Sequence, residues 1–171
     1  QVGSIFRVNY EPLMYYLIDG YNLIFSLIES KESLQIFRQK IILALQKKFA
    51  VKKISGMLVF DGAHSRDEES GLFYSNPLII AYAPKGQTAD QYIVEQIELA
   101  KNPKLITVVT NDRGLALHTK SAGAKVQGND RFIHWLHKRR KKMGAPEPKE
   151  TEQNIDRLEK IFEERLKNPE D

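Results

Sequence analysis

The 171-residue chain has 42% hydrophobic residues, no cysteine, a formal charge of +4 and a pI near 9.2. That size and apolar fraction suit one domain with its own core, while the lack of cysteine excludes disulfide staples, thiolate zinc sites and cysteine nucleophiles. No apolar run approaches the roughly 18 residues of a membrane span and no secretory signal pattern opens the chain, so a soluble, cytoplasmic protein is expected, its basic excess leaning towards a polyanionic partner.

Residues 1–13 lack periodicity and read either as an N-terminal arm or as residues ahead of a start at Met14. Met14, Tyr15, Tyr16, Leu17 and Ile18 form a β-rich run that ends at Asp19, where Gly20 lets the backbone turn. Leu34, Phe37, Ile41, Leu45 and Phe49 then recur at helical spacing, with Lys40, Lys47 and Lys48 off the stripe. Gly56 to Asp61 is a second buried strand, again ending in a carboxylate and a glycine, Asp61 and Gly62. The polar and charged segment from His64 to Ser70 reads as a loop, and Leu78 to Tyr82 as a third strand closed by Pro84 and Gly86.

Thr88-Ala-Asp-Gln91 has the form of a capping box, with Ile93, Ile97 and Ala100 on one helical face behind it. Lys104 to Thr110 is a fourth strand, running into Asn111, Asp112, Arg113 and Gly114 before a helix to about Ala122. Gly123 to Val126 is a short fifth strand, and Asn129 is expected to cap a helix bearing Phe132, Ile133, Trp135 and Leu136. A Gly/Pro-rich break from Gly144 to Pro148 separates the domain, 14–143, from a last amphipathic helix, Glu152 to Lys167, in the tail 144–171. Alternating strands and helices imply an α/β fold, a three-layer sandwich with a mainly parallel central sheet.

Four carboxylates carry the chemistry. Asp19, Asp61 and Asp112 follow strands and Asp90 opens a helix, so a parallel sheet would gather them at the carboxyl edge, where open α/β sheets build their sites. Any one of them alone is as readily a turn former or helix cap, and Asp90 also suits the helix dipole. Four like charges at one edge, however, raise one another's pKa unless a cation neutralises them. Oxygen-only donors point to Mg2+ or Mn2+, one or two ions, and away from zinc. Such a site hydrolyses phosphodiesters with water as nucleophile.

The motifs Leu17-Ile-Asp-Gly-Tyr-Asn22, Val59-Phe-Asp-Gly62, Thr88-Ala-Asp90 and Thr110-Asn-Asp112 together resemble the acidic signature of the NYN domains, a branch of the PIN-like nucleases, and within them the YacP-like endoribonucleases. The likeness spans about Tyr15 to Leu136. It implies a PIN-like Rossmannoid fold, a magnesium or manganese site, and cleavage of single-stranded RNA, with Asp19, Asp61, Asp90 and Asp112 as metal-binding catalytic acids. By the same resemblance Asn22 and Thr110 are the polar companions that orient a water or phosphate; ordinary turn and strand-end hydrogen bonding is their alternative reading.

Arg113 reads as a phosphate contact or a local salt bridge, and His64, Arg66 and Lys85 as phosphate contacts or solvated residues. The run Lys138, Arg139, Arg140, Lys141 and Lys142 follows the last domain helix, on the acids' rim or just beyond it, and sweeps more than a full helical turn. It reads as an RNA or ribosome contact, or as a solvated basic helix end. Tyr21, Tyr74 and Trp135 could stack bases, with Trp135 equally a core residue. The resulting expectation is a metal-dependent endoribonuclease; a non-catalytic RNA- or ribosome-binding module is the alternative, and a phosphatase a weaker one.

Overall fold

The computed structural model describes residues 14–28, 33–62, 72–73 and 77–138. Six strands form one sheet: β1 (Tyr15–Asp19), β2 (Ser55–Phe60), β3 (Leu72–Phe73), β4 (Leu78–Tyr82), β5 (Ile106–Val109) and β6 (Lys125–Gln127). Five helices accompany them: α1 (Gly20–Leu27), α2 (Leu34–Lys52), α3 (Ala89–Leu99), α4 (Arg113–Ser121) and α5 (Asn129–His137). The sheet order is β3-β4-β2-β1-β5-β6, all neighbours parallel except the short β3 against β4. The expected three-layer sandwich with a mainly parallel sheet is borne out.

Chain direction explains the layering. From β1 the chain steps through β2 to β4 on one side, then jumps back across to β5 and β6 on the other. Right-handed crossovers made in opposite directions put their helices on opposite faces. One face is therefore sealed by α1, α2 and α5, with Tyr16, Ile18, Leu58, Phe60 and Ile80 meeting Phe37, Ile41, Leu45, Phe49, Phe132 and Ile133. The other is covered by α3 and α4, with Leu17, Met57, Val59 and Val108 against Ile93, Ile97 and Leu115. Strand side chains alternate between faces, so the parity of each strand fixes which layer its last residue joins.

The structure corrects several boundaries. Helix α1 starts directly after β1, without the expected turn: Gly20 is its first residue and is helical. What glycine provides there is space, because a Cβ would lie 2.5 Å from the Phe60 ring and 2.7 Å from the Val59 carbonyl oxygen. A 3-10 turn (Pro103–Leu105) occupies the expected start of the fourth strand, and β3 is an added sixth strand that two residues carry no pattern to announce. The capping box at Thr88 is present in full, its hydroxyl accepting from the Gln91 amide while Gln91 accepts from the Thr88 amide. Residues 1–13, the tail 144–171 with its expected helix, His64, Arg66 and Tyr74 lie outside the described residues.

Candidate functional site

The register of the central strands builds the site. Ile18 pairs with Val109, so the next residues, Asp19 and Thr110, come level at the carboxyl edge, where the Thr110 hydroxyl donates to Asp19 Oδ2 at 3.3 Å. Asp19 also pairs with Val59, two residues short of Asp61. Asp19, Asp61 and Thr110 continue the parity of Leu17, Val59 and Val108, and so face the α3/α4 layer. This edge lies where successive crossovers diverge to either side of β1, the position at which open α/β sheets bind ligands.

Each acid is fixed differently. Asp61 Oδ1 accepts the Ala89 amide at 2.7 Å, tying the end of β2 to the first residue of α3. Asp112 caps α4, its Oδ1 accepting the Leu115 amide at 2.7 Å. The Asp112 amide in turn donates to the Thr110 hydroxyl oxygen at 3.0 Å, so Thr110 links Asp19 to the Asp112 backbone. Asp90 lies in the first turn of α3, half-buried, with no hydrogen bond to its carboxylate among the described residues. Both readings of the sequence thus apply to Asp61 and Asp112: each has one oxygen bonded to a backbone amide at a helix start and, among the described residues, no hydrogen bond to the other.

Electrostatics joins the acids. Asp19 is 8% exposed, and burial pushes its carboxyl up to about 6; Asp90 and, less, Asp112 act in the same direction, against the Asn22 amide and the Thr110 hydroxyl. The Asn22 amide faces the carboxylate from α1 without closing a cap hydrogen bond. Asp90 is raised as well, by burial first and then by Asp112 and Asp61, with His118 of α4 opposing. Asp90 therefore lies in the field of the other three acids and Asp19 also in that of Asp112, while His118 is the one basic side chain among the described residues that opposes the rise at Asp90. Among the described residues no three His, Asp or Glu side chains converge closely enough to form a ready metal cage. The donor chemistry still fits a hard divalent cation, because magnesium typically uses one or two carboxylates and completes its sphere with water and substrate phosphate.

The companions divide. Asn22 commits its Oδ1 to structure, accepting the Asn111 amide at 2.8 Å and Asn129 Nδ2 at 2.9 Å. Asn129 is not the expected helix cap: Gly128 precedes the helix, and Asn129 is its wholly buried first residue, donating also to the Asn22 carbonyl and Ser26 Oγ. Asn111 Oδ1 accepts the Asn129 amide. This asparagine clasp joins α1, the loop before Asp112 and α5, over sequence separations that no local pattern reveals. Arg113 is exposed at the start of α4 with no ion pair among the described residues, and Lys85 is exposed beyond β4.

Lys138 belongs elsewhere. Helix α5 starts at the clasp and runs away from it, ending where the Lys138 carbonyl accepts from Lys52 Nζ at 3.0 Å, beside the last turn of α2. The nine residues of α5 thus place Lys138 about 13 Å along the helix from the acid edge, towards the opposite end of the sheet and not on the acids' rim. Arg139, Arg140, Lys141 and Lys142 lie outside the described residues. Trp135 is half-buried, stacked with Tyr16 and Phe132 and covered by Lys52, hence a packing residue. Tyr21 is buried against Phe60 and Phe25. Among the described residues no helix is long and apolar enough to cross a membrane.

Comparison with known proteins bears out the resemblance read from the four motifs. A family model described as the YacP-like NYN domain matches residues 16–170. The fold is similar to the crystal structure of Rae1 (YacP) from Bacillus subtilis, with 18% identity, a TM-score of 0.59, and coverage of 91% of this chain and 83% of that one. A tryptophan-to-leucine variant of the same protein matches at 17% identity and a TM-score of 0.56, covering 92% of this chain and 85% of that one. A comparison with curated proteins gave no match.

Proposed function

The chain belongs to the YacP-like NYN domain family, a family of PIN-like nucleases, and from that premise we propose that it is a metal-dependent endoribonuclease that hydrolyses phosphodiester bonds of single-stranded RNA. The observation that carries this reading is the electrostatic coupling of Asp90 to Asp19, Asp61 and Asp112 at one sheet edge, opposed among the described residues by the His118 imidazole alone. A fold that holds four carboxylates together in this way is suited to a cation and to a phosphate bridged by it.

Asp19 and Asp90 are the principal ligands in this proposal, with the uncommitted oxygens of Asp61 and Asp112 completing the donor set for Mg2+ or Mn2+. When bound, the ion supplies neutralisation of the phosphate charge and a lowered pKa for a nearby water. The chain's own residues fix the geometry: Thr110 holds Asp19, Asp61 anchors α3, and the clasp through Asn22 sets the loop that presents Asp112. In this proposal Asn22 Nδ2 and the exposed Arg113 would donate to a phosphate near this edge. Hydrolysis joins a water oxygen to phosphorus and breaks the bond to the ribose 3′-oxygen, which leaves with a proton. Lys138 would hold the RNA, or a ribosome presenting it, at a distance from the cut, and Arg139, Arg140, Lys141 and Lys142 would add to that attraction through their charge.

The test is cleavage of an end-labelled single-stranded RNA with magnesium or manganese, beside an EDTA control and the Asp19→Asn and Asp112→Asn variants. Cutting that requires the ion and both carboxylates supports the nuclease. Intact RNA, with neither ion binding by calorimetry at millimolar concentration, overturns it in favour of a non-catalytic RNA-binding module.

A further inference from the structure

The α1/α2 side of the same edge carries a cluster that the acids do not explain. Arg38 lies one turn into α2, whose N-terminus is at the carboxyl edge because the helix runs back against the strands to reach β2. Its guanidinium sits 5.7 Å from the Phe60 ring centroid and 6.0 Å from that of Tyr82, the last residues of β2 and β4. Nη1 donates to the Tyr21 hydroxyl at a long 3.4 Å, while Nε is buried with no acceptor. No carboxylate pairs with it among the described residues. A guanidinium has five donors in a planar fork that matches phosphate, and leaving one half-buried without an anion is costly.

Next to it, Tyr21 stacks on Phe25 with centroids 5.8 Å apart and planes 23° apart, and Phe25 is 59% exposed. A flat ring held in place by a second ring and open to solvent is the arrangement on which a nucleic-acid base stacks. Phe60 ties the cluster to the acids: it precedes Asp61, and its ring is packed against Gly20, which follows Asp19.

We propose that Phe25 and Arg38 form a subsite for one nucleotide of single-stranded RNA, Phe25 stacking the base and Arg38 taking the phosphate, on the opposite side of the sheet edge from the acids. This inference rests on the reading of the protein as acting on RNA. Single-stranded RNA is the occupant that fits because the cluster pairs an open aromatic face with an unmatched cation; a duplex hides its base faces and leaves the ring without a partner.

The test measures anisotropy of a fluorescein-labelled single-stranded oligouridylate with the full chain in EDTA, and with a matched abasic oligonucleotide. Phe25→Ala and Phe25→Leu are expected to weaken binding of the base-bearing strand about tenfold and to leave the abasic strand unchanged. Arg38→Met is expected to weaken both about tenfold and to reduce the salt slope by about 0.7. Wild-type binding that survives all three substitutions overturns the subsite and leaves the nuclease reading intact. A wild-type chain that neither binds nor cleaves single-stranded RNA overturns both. Should Arg38→Met fail to fold, the exposed Phe25 variants decide alone.

Discussion

The two sides of the carboxyl edge have opposite chemistry. Among the described residues, four carboxylates stand towards α3 and α4 with one imidazole opposing Asp90, and Phe60, Tyr82, Tyr21 and Phe25 stand towards α1 and α2 with one guanidinium that has no carboxylate partner. A single residue step in each strand separates them, since Phe60 and Asp61 follow one another into opposite layers. Among the described residues the fold leaves charge unsatisfied on both sides. On the proposed reading the acid side would take a cation and the aromatic side an anion, and a phosphate strand with its metal would supply both.

The largest expected effect separates chemistry from scaffolding on the acid side. Asp90 has no structural hydrogen bond among the described residues, whereas Asp61 holds α3 in place. Asp90→Asn should therefore lower the cleavage rate on the order of 10³-fold while the melting temperature stays at or above that of wild type. Asp61→Ala should lower both, because it also releases the Ala89 amide. Equal melting losses in the two variants would break the distinction.

The pH dependence of stability comes next. The Asp19 carboxyl is pushed up to about 6 from an ordinary 3.8, so the folded state binds this proton more tightly than the unfolded one. Its contribution is then most favourable below about pH 4 and is lost as pH rises to 6, a penalty of at most about 3 kcal/mol at neutral pH. Without divalent cations, Asp19→Asn should be more stable than wild type at pH 7 by up to that amount, and no more stable near pH 4, by urea titration. Magnesium or manganese should narrow the gap by stabilising wild type alone. A variant less stable than wild type at pH 7 would show that the acids are not in conflict.

The wall between the two sides supplies a third test. Gly20→Ala places a methyl group within 2.7 Å of the Val59 carbonyl and against the Phe60 ring. Overpacking of this kind costs roughly 1–3 kcal/mol. Because Gly20 joins both sides, RNA binding and cleavage should fall together, whereas Phe25→Ala should affect binding without a change in melting temperature.

Much of this arrangement is legible in the sequence, for reasons that also mark the limit. Asp19, Asp61 and Asp112 announce themselves because each ends a β-rich apolar run, and Thr88 because a capping box is a local pattern. Asn129 reads as a cap, yet its role comes from hydrogen bonds to Asn22, 107 positions away. Arg38 looks like any helical surface cation until β2 and β4 bring Phe60 and Tyr82 beneath it. Lys138, the first of the basic run, is easy to see but not to place, since only the direction of α5 takes it away from the acids. Residue type and local period are encoded locally; proximity is not.

The smallest predicted effect probes how the acid side restrains itself. Among the described residues, the Thr110 hydroxyl donates to Asp19 and accepts from the Asp112 amide, so it steadies a charge and orders the loop that carries the next acid. Thr110→Val keeps the shape and removes both bonds. Losing the donor takes away one of the two influences holding the Asp19 carboxyl down, so its pKa should rise further above 6. The stability loss should be about 1 kcal/mol, because a 3.3 Å hydrogen bond is a weak one and the variant is partly relieved by protonation at Asp19. Cleavage should fall at neutral pH and recover as pH increases, its acid limb displaced upwards relative to wild type. A pH-rate profile of unchanged shape, merely scaled down, would mean that Thr110 serves the loop and not the carboxylate.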